Sequence, residues 1–486
     1  MTDRKRDVEK PVLVVFRHDL RVADNRALSA AAATGKPVVA AFVLEIDGGA
    51  RPPGAARRWW LHHSLAALAK AVARLGGAPL ILRRGAMGET VAALAREAGA
   101  DLVHWNRRFE PAAVVADADM AARLFADGIR TERFEGHLLH DPARVRTGSG
   151  RAYRVFAPFW RALSSETEPR DPVDPPHSLR APASLPPSER LDDWALLPEG
   201  PDWAEGLRAC WTPGEEGART RLAAFLEESV TDYAVERERP ASFGTSRLSP
   251  HLTHGEITPA QLLTALKRRR GRGVDTFRKE LAWREFAYHL MCSHPHLATD
   301  NVDARFDEFP WRQSAADLRR WQQGRTGYPL VDAGMRELWR TGFMHNRVRM
   351  VVASFLVKHL LIDWRSGEAW FWDTLVDADP ANNPMNWQWV AGSGADAAPY
   401  FRIFNPVLQG ERFDPGGEYV RRFVPELARL GDKWIHKPWA APGKALSDAG
   451  LDLEAAYSLP LVDHQTARRR ALSAFDGIRS TANDRP

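Results

Sequence analysis

Apolar residues over positions 11–135 fall into short, solid runs separated by stretches with apolar positions three and four apart. The runs Val12–Phe16, Val38–Leu44, Leu80–Leu82, Leu102–Trp105 and Arg130–Phe134 predict strands, since short β-rich apolar runs suit strands buried on both faces. Alanine-rich segments such as Ala55–Leu75 and Pro111–Asp127 predict the intervening helices. Alternation of this kind implies a parallel, doubly wound (Rossmann-like) sheet. From Gly214 onward the period becomes helical almost throughout, most clearly over Arg219–Ser229, Pro259–Arg269, Asp275–Met291, Leu330–Arg340, His345–Ile362 and Ser366–Trp372. Between the two regimes, residues 169–201 hold nine prolines. Proline lacks an amide donor and fixes φ, so this stretch predicts a surface connector, with Trp194, Trp203 and Trp211 available to anchor it. The expected fold class is α/β plus all-α: an α/β domain over 1–138, a connector over 139–212 and a helical domain over 213–486.

Composition changes this picture in a few places. No apolar run reaches about 18 residues, so no membrane-spanning helix is expected. The start, MTDRKRDVEKPVLVVF, carries basic residues, but its apolar segment is too short for a signal peptide and reads as the first strand. The two cysteines, Cys210 and Cys292, have no partner spacing. That argues against a disulfide framework or a cysteine-ligated metal, and suits a reducing cytoplasm. A net charge of +5 is compatible with a polyanionic partner. Eleven of the eighteen tryptophans follow residue 280, so whatever needs indoles lies in the second half. No GxGxxG follows the first strand, and any ligand of the sheet domain must be held in some other way.

The densest candidate chemistry lies in Asp377–Gln409, DADPANNPMNWQWVAGSGADAAPYFRIFNPVLQ. Two aspartates and two asparagines precede Trp387-Gln388-Trp389, and an aromatic and arginine cluster, Tyr400 to Phe404, follows. Polar groups this dense among tryptophans need partners, because a buried polar atom without one is costly. Asp377 and Asp379 have the spacing of a metal pair, but no further acidic residue lies at EF-hand distance and no metal is predicted. Upstream, Thr245-Ser246-Arg247-Leu248-Ser249-Pro250 suits first an ordinary helix start with Ser249 as the cap and proline first in the helix, and second a phosphate site. Glu280, Trp283 and Arg284 share one helix face, as do Asn346, Arg349 and Met350. His345 reads as structural. The run Lys267–Arg272 is either a solvated helix end or a set of phosphate contacts.

Together these motifs closely resemble the DNA photolyase and cryptochrome flavoproteins, where DxDxxxN…WQW…FRIFNP lies around a folded FAD. The likeness runs from LVVFRHDLRVADNRAL near the start to Val462-Asp463-His464, and is nearest to the bacterial enzymes that repair cyclobutane pyrimidine dimers. It implies FAD in the helical domain, held at its pyrophosphate by Tyr233, Thr245, Ser246, Arg247, Leu248 and Ser249. Arg284 contacts the flavin's phosphates or the site wall, Asn346 also contacts the cofactor, Arg349 pairs with Asp377, Asp379 bonds the flavin side chain, and Asn383 sits beside flavin N5. It further implies that Trp283 stacks on a flipped-out dimer while Glu280 bonds a base edge. Asn346, Arg347, Met350, Trp389, Arg402 and Gln409 complete the DNA side. Trp387, Trp364 and Trp311 align with the electron relay that reduces the photoexcited flavin. Asn346 and Met350 stand where the (6-4) enzymes of the family carry histidines. Implied, then, is light-driven repair by reduced FAD in a monomeric, cytoplasmic protein; a cryptochrome-type photoreceptor and a (6-4) photolyase are the alternatives. A second, antenna chromophore of folate or deazaflavin type is common in such proteins. The Asn-Glu pair of the folate pattern is Asn106-Arg107 in this chain, and Phe16, His18, Pro380 and Asn386 also depart from the family pattern.

Overall fold

The computed structural model describes residues 9–46, 49, 51–166, 170–396 and 401–483; Tyr400 of the aromatic cluster and the first proline of the connector lie outside them. Five strands, β1 (Val12–Phe16), β2 (Val38–Glu45), β3 (Ile81–Gly85), β4 (Leu102–Asn106) and β5 (Arg130–Phe134), form one parallel sheet in the order β3-β2-β1-β4-β5. Helices α1 (Arg26–Ala33), α2 (Ala55–Arg74), α3 (Met87–Ala98) and α4 (Pro111–Ala126) cover its two faces. All five residues of β1 are buried, because a central parallel strand has packed helices on both sides. The third strand starts one residue later than its pattern predicts and runs on through Arg83 and Arg84, charges that only an edge strand tolerates readily. The order reverses at β1, so the strands' carboxyl ends open a crevice there.

The proline-rich part of the connector follows α5 (Phe156–Glu166), which itself lies within 139–212, and runs along the sheet domain. Val38 donates to Arg180, Glu189 to Leu82 and Leu179 to Leu75 through backbone hydrogen bonds, and Trp194 is buried. Next come α6 (Glu205–Cys210), α7 (Glu215–Ala224), α8 (Tyr233–Glu236), α9 (Ser249–Thr253), α10 (Pro259–Ala265) and the long α11 (Arg272–Ser293). After them follow α12 (Ala315–Gln322), α13 (Pro329–Thr341), α14 (Asn346–Ser354), α15 (Trp364–Thr374), α16 (Asn382–Ala391), α17 (Pro406–Phe413) and α18 (Glu418–Phe423). Two expected helices end in a wider turn: Val230 donates to Phe225 and Leu360 to Phe355, each five residues back. The helix expected over Pro259–Arg269 stops at Ala265, and the basic run that follows is exposed. Among the described residues no helix is long and apolar enough to cross a membrane, and no group of three His, Cys, Asp or Glu is placed to hold a metal.

Candidate functional site

Ser249 is not the cap of α9. Leu248 takes that place, and the Ser249 hydroxyl instead donates to Asp377 Oδ2 at 2.6 Å. The same carboxylate receives Arg349 Nη2 on both oxygens, at 3.0 and 2.9 Å, so α9, α14 and the lead into α16 meet at one buried charge. Arg247 adopts φ of 51° and Leu248 returns to the right-handed region. Such an alternation turns neighbouring N–H groups inward, a geometry that suits an anion. The N–H groups of Thr245, Ser246 and Arg247 make no hydrogen bond within the described residues, and these side chains are only half-buried. One turn of α9 contributes little dipole, so the open amides and Arg247 carry the anion-binding capacity. Tyr233, twelve residues before Thr245, is wedged between Phe225 and Phe277, and burial pushes its hydroxyl above the ordinary tyrosine range.

Asp379 closes the start of α16. Its Oδ1 accepts from the Ala381 and Asn382 amides at 3.0 and 2.7 Å and from Asn382 Nδ2 at 2.8 Å; its Oδ2 accepts from the Tyr288 hydroxyl at 2.9 Å. Asn383, one residue further on, donates Nδ2 to the Glu368 backbone oxygen at 3.0 Å and to Glu368 Oε1 at 2.8 Å. A carbonyl oxygen can only accept, so this pair fixes the amide's orientation and leaves Asn383 Oδ1 an acceptor without a partner among the described residues. Glu368 in turn binds Arg51 from the sheet domain at 2.7 Å.

This set fits FAD. Open amides and Arg247 match a pyrophosphate, Arg349 and Asp377 form a fixed polar wall, and that Asn383 oxygen can accept from a reduced ring's N–H. Arg284 lies elsewhere. It is buried on the face of α11 toward the sheet domain, where Nη1 donates to the His137 backbone oxygen at 3.1 Å and Nη2 meets His137 Nε2 at 2.8 Å.

Trp283, on the same helix, is half-buried and stacks face to face on Phe156 at 3.7 Å, so one face of the indole is already covered. Glu280 accepts from Arg237 at 2.6 Å, and burial raises its carboxyl above the ordinary range against the pull of that arginine. Asn346 is exposed at the head of α14, with Met350 half-buried one turn on. Arg347 pairs with Glu238 and lies 4.4 Å over the Phe413 ring. His345 caps α14 through Nδ1, and burial with Arg347 and Arg349 nearby holds it down at about 3.

Trp389 and Arg402 line a cavity of about 620 Å³ that Trp283 and Glu280 do not line. Gln409 is half-buried on α17, its Oε1 without a partner among the described residues. Trp387, Trp364 and Trp311 belong to one hydrophobic cluster. Trp387 meets Phe371 edge-on at 4.9 Å, Trp364 donates to Asn301 at 2.9 Å, and Trp311 lies against Phe309 at 4.4 Å. Gly367 is required here, since a Cβ would fall 2.1 Å from the Trp387 ring.

Sequence reasoning missed Phe156, Arg237, Glu368, Tyr288 and His137. Their partners are distant in the chain (His137 and Tyr288 are 151 residues apart), so no spacing announces them. A further cavity of about 500 Å³ opens between the carboxyl ends of the strands and the helical half, with Phe42, Arg51, Arg57, Arg108, Trp372 and Pro380 among its walls. Asn106 donates Nδ2 to Asp19 and Asn25, and its Oδ1 has no partner among the described residues.

Residues 12–178 match the family model for DNA photolyase, and residues 277–477 the model for the FAD binding domain of DNA photolyase. The chain is 52% identical to a deoxyribodipyrimidine photo-lyase of Agrobacterium fabrum, across 97% of this chain and 98% of the relative. It is 37% identical to cryptochrome-1 of Arabidopsis thaliana, across 95% of this chain and 70% of the relative. A crystal structure of a bacterial class III photolyase from Agrobacterium tumefaciens superposes with a TM-score of 0.95 at 51% identity, covering 99% of this chain and 100% of that one. With both halves matched and near-complete overlap with such relatives, the chain belongs to the DNA photolyase and cryptochrome family of FAD-binding proteins.

Proposed function

We propose that this protein is a deoxyribodipyrimidine photo-lyase, repairing cyclobutane pyrimidine dimers in DNA by light-driven electron transfer. The observation that carries the reading is the closeness of two different surfaces. An open polar site for FAD is built on α16, α14 and α9. Trp283 on α11 offers one free indole face, and it packs against a cluster containing Ala381, just before α16, and Met385 of α16. Reduced FAD, when bound, supplies the photoexcited electron that opens the dimer's cyclobutane ring and then recovers it.

The protein's part is to hold and shield. Arg349 and Asp377 fix each other in the site, and the open amides before α9 hold the anionic end of the cofactor. Trp283, held flat by Phe156, stacks on the extruded lesion, while Glu280, oriented by Arg237, bonds a base edge. Asn346, Arg347, Met350, Trp389, Arg402 and Gln409 face the DNA, with Trp387, Trp364 and Trp311 as the route for photoreduction. Neither Asn346 nor Met350 can take or give a proton at neutral pH, and His345 is neutral and committed to its cap. No acid–base pair is therefore offered there, which favours a lesion opened by an electron alone over one that also needs proton transfer.

Residues 1–138 serve as the antenna domain in this reading, 139–212 as connector and 213–486 as the catalytic domain. The cavity of about 500 Å³, with its arginines and Trp372, suits a flat, anionic second chromophore of folate or deazaflavin type. The enzyme acts as a monomer in the cytoplasm, where its thiols Cys210 and Cys292 stay free. The test uses anaerobic, reduced protein and two oligonucleotides, one with a cyclobutane dimer and one with a (6-4) lesion, under blue light and in the dark. Light-dependent repair of the cyclobutane dimer alone is expected. Repair of neither by FAD-loaded protein would make it a photoreceptor.

A further inference from the structure

Two buried acceptors between the halves of the molecule, Asp379 and His137, face the one hydroxyl proton of Tyr288. The Tyr288 hydroxyl lies 2.9 Å from Asp379 Oδ2 and 2.8 Å from His137 Nε2. Arg284 Nη2 lies 2.8 Å from the same imidazole nitrogen, and its guanidinium sits 5.0 Å over the Tyr288 ring. Arginine can only donate, so His137 Nε2 must present a lone pair and the ring proton belongs on Nδ1. Burial, then Arg284, with His18 and Arg21 adding, holds His137 well below its ordinary range; Glu110 opposes them. Tyrosine has one hydroxyl proton, yet it faces two acceptors. Asp379 Oδ1 is fully met by three N–H donors, whereas Oδ2 has Tyr288 as its one donor among the described residues.

We propose that Tyr288 is a positioning residue for Asp379, its single proton held in competition between that carboxylate and His137, with Arg284 setting the share. Arg284 occupies part of the imidazole lone pair and so returns the Tyr288 proton toward Asp379. The fraction given to Asp379 decides how much negative charge this carboxylate shows to the cofactor site. The inference rests on FAD occupying that site, as proposed above.

The experiment loads wild-type, Tyr288→Phe and His137→Phe proteins with FAD and measures each midpoint potential by spectroelectrochemistry. Reduced flavin is the more negative form, so an uncovered Asp379 disfavours it. Tyr288→Phe is expected to lower the ratio of affinities for reduced over oxidised FAD about tenfold, the effect of one lost hydrogen bond to a charge and about 30 mV downward for a two-electron couple. His137→Phe removes the competitor and shifts the potential upward. Shifts in the same direction, or none, overturn the proposal, since a merely structural role has no reason to produce opposite signs. If His137→Phe does not fold, an unmoved potential in Tyr288→Phe, which lacks one oxygen only, overturns it alone. Protein that takes up no FAD overturns this inference together with the function it rests on; FAD uptake with unmoved potentials overturns this inference only.

Discussion

Two polar networks of the molecule, one around Asp19 and Asp24 and one before α9 and α16, are finished in different ways. At the carboxyl end of β1, Asp19 Oδ1 accepts from the Arg17 amide, and its Oδ2 from Asn25 and Asn106. Asp24 receives both Arg170 nitrogens at 2.5 and 2.8 Å, the Val173 amide at 3.0 Å and the Thr258 hydroxyl at 2.6 Å. Every oxygen is met from within. In the helical half, by contrast, three successive amides before α9 and the Asn383 oxygen have no partner in the described protein. A closed network is scaffold. An open one is a place kept for something else, because an unmet polar group is tolerated only where a ligand or water meets it.

The sharpest way to break this contrast is Asp24→Ala. Asp24 ties the sheet domain to the connector at Arg170 and to α10 at Thr258, with none of its surface exposed. Removing one member of a buried, hydrogen-bonded pair costs roughly 3–5 kcal/mol, and the loss should appear in urea unfolding with FAD affinity per folded molecule unchanged. Burial pushes the Asp24 carboxyl up, but Arg170, Arg21 and Thr258 together bring it below the usual range. Its contribution is therefore present above the unfolded value of about 3.9 and fades as pH falls through it toward the lower folded value. Wild-type stability should show that acid loss and the alanine variant should lack it.

Asp377→Asn probes the open side. The asparagine keeps the volume, but it turns the charge-assisted bonds from Arg349 and Ser249 into weaker neutral ones. A loss of about 1.5–3 kcal/mol is expected, or roughly 10- to 100-fold in FAD affinity by fluorescence titration, with a small change in urea midpoint. A large fall in stability with intact FAD affinity would erase the distinction between the halves.

The same contrast explains what could be read from the chain alone. Strands β1, β2 and β4 and the helices packed on them declare themselves through apolar runs and period, since each buries a continuous apolar face, whereas β5 has no fully buried residue. Within the site, Asp377, Asp379 and Asn383 are visible as one short run and 245–249 as another, each matching a known pattern. Glu368, Tyr288, His137 and Phe156 are not, because each reaches its partner only when separate helices or the two halves pack together. The role of Ser249 was misjudged for a related reason. Its neighbour Pro250 suggested a cap, while the competing acceptor, Asp377, lies 128 residues away.

Trp283→Ala is the mildest change and the most discriminating. The Phe156 stack at 3.7 Å covers one indole face and the half-buried ring leaves the other available. If that free face meets an extruded base, alanine should weaken binding to dimer-containing DNA by about 1–3 kcal/mol, the worth of one stacking contact, and leave undamaged DNA and FAD affinity unaltered. Phe156→Leu supplies the control. It keeps an apolar prop but not a flat one, so the indole remains while its orientation loosens, and the loss on damaged DNA should be a fraction of that in Trp283→Ala. Equal losses on damaged and undamaged DNA would mean that Trp283 supports the fold of α11 and not the lesion. Then the aromatic pair would belong with the closed networks of the sheet domain, and the half-exposed indole would be packing that happens to reach the surface.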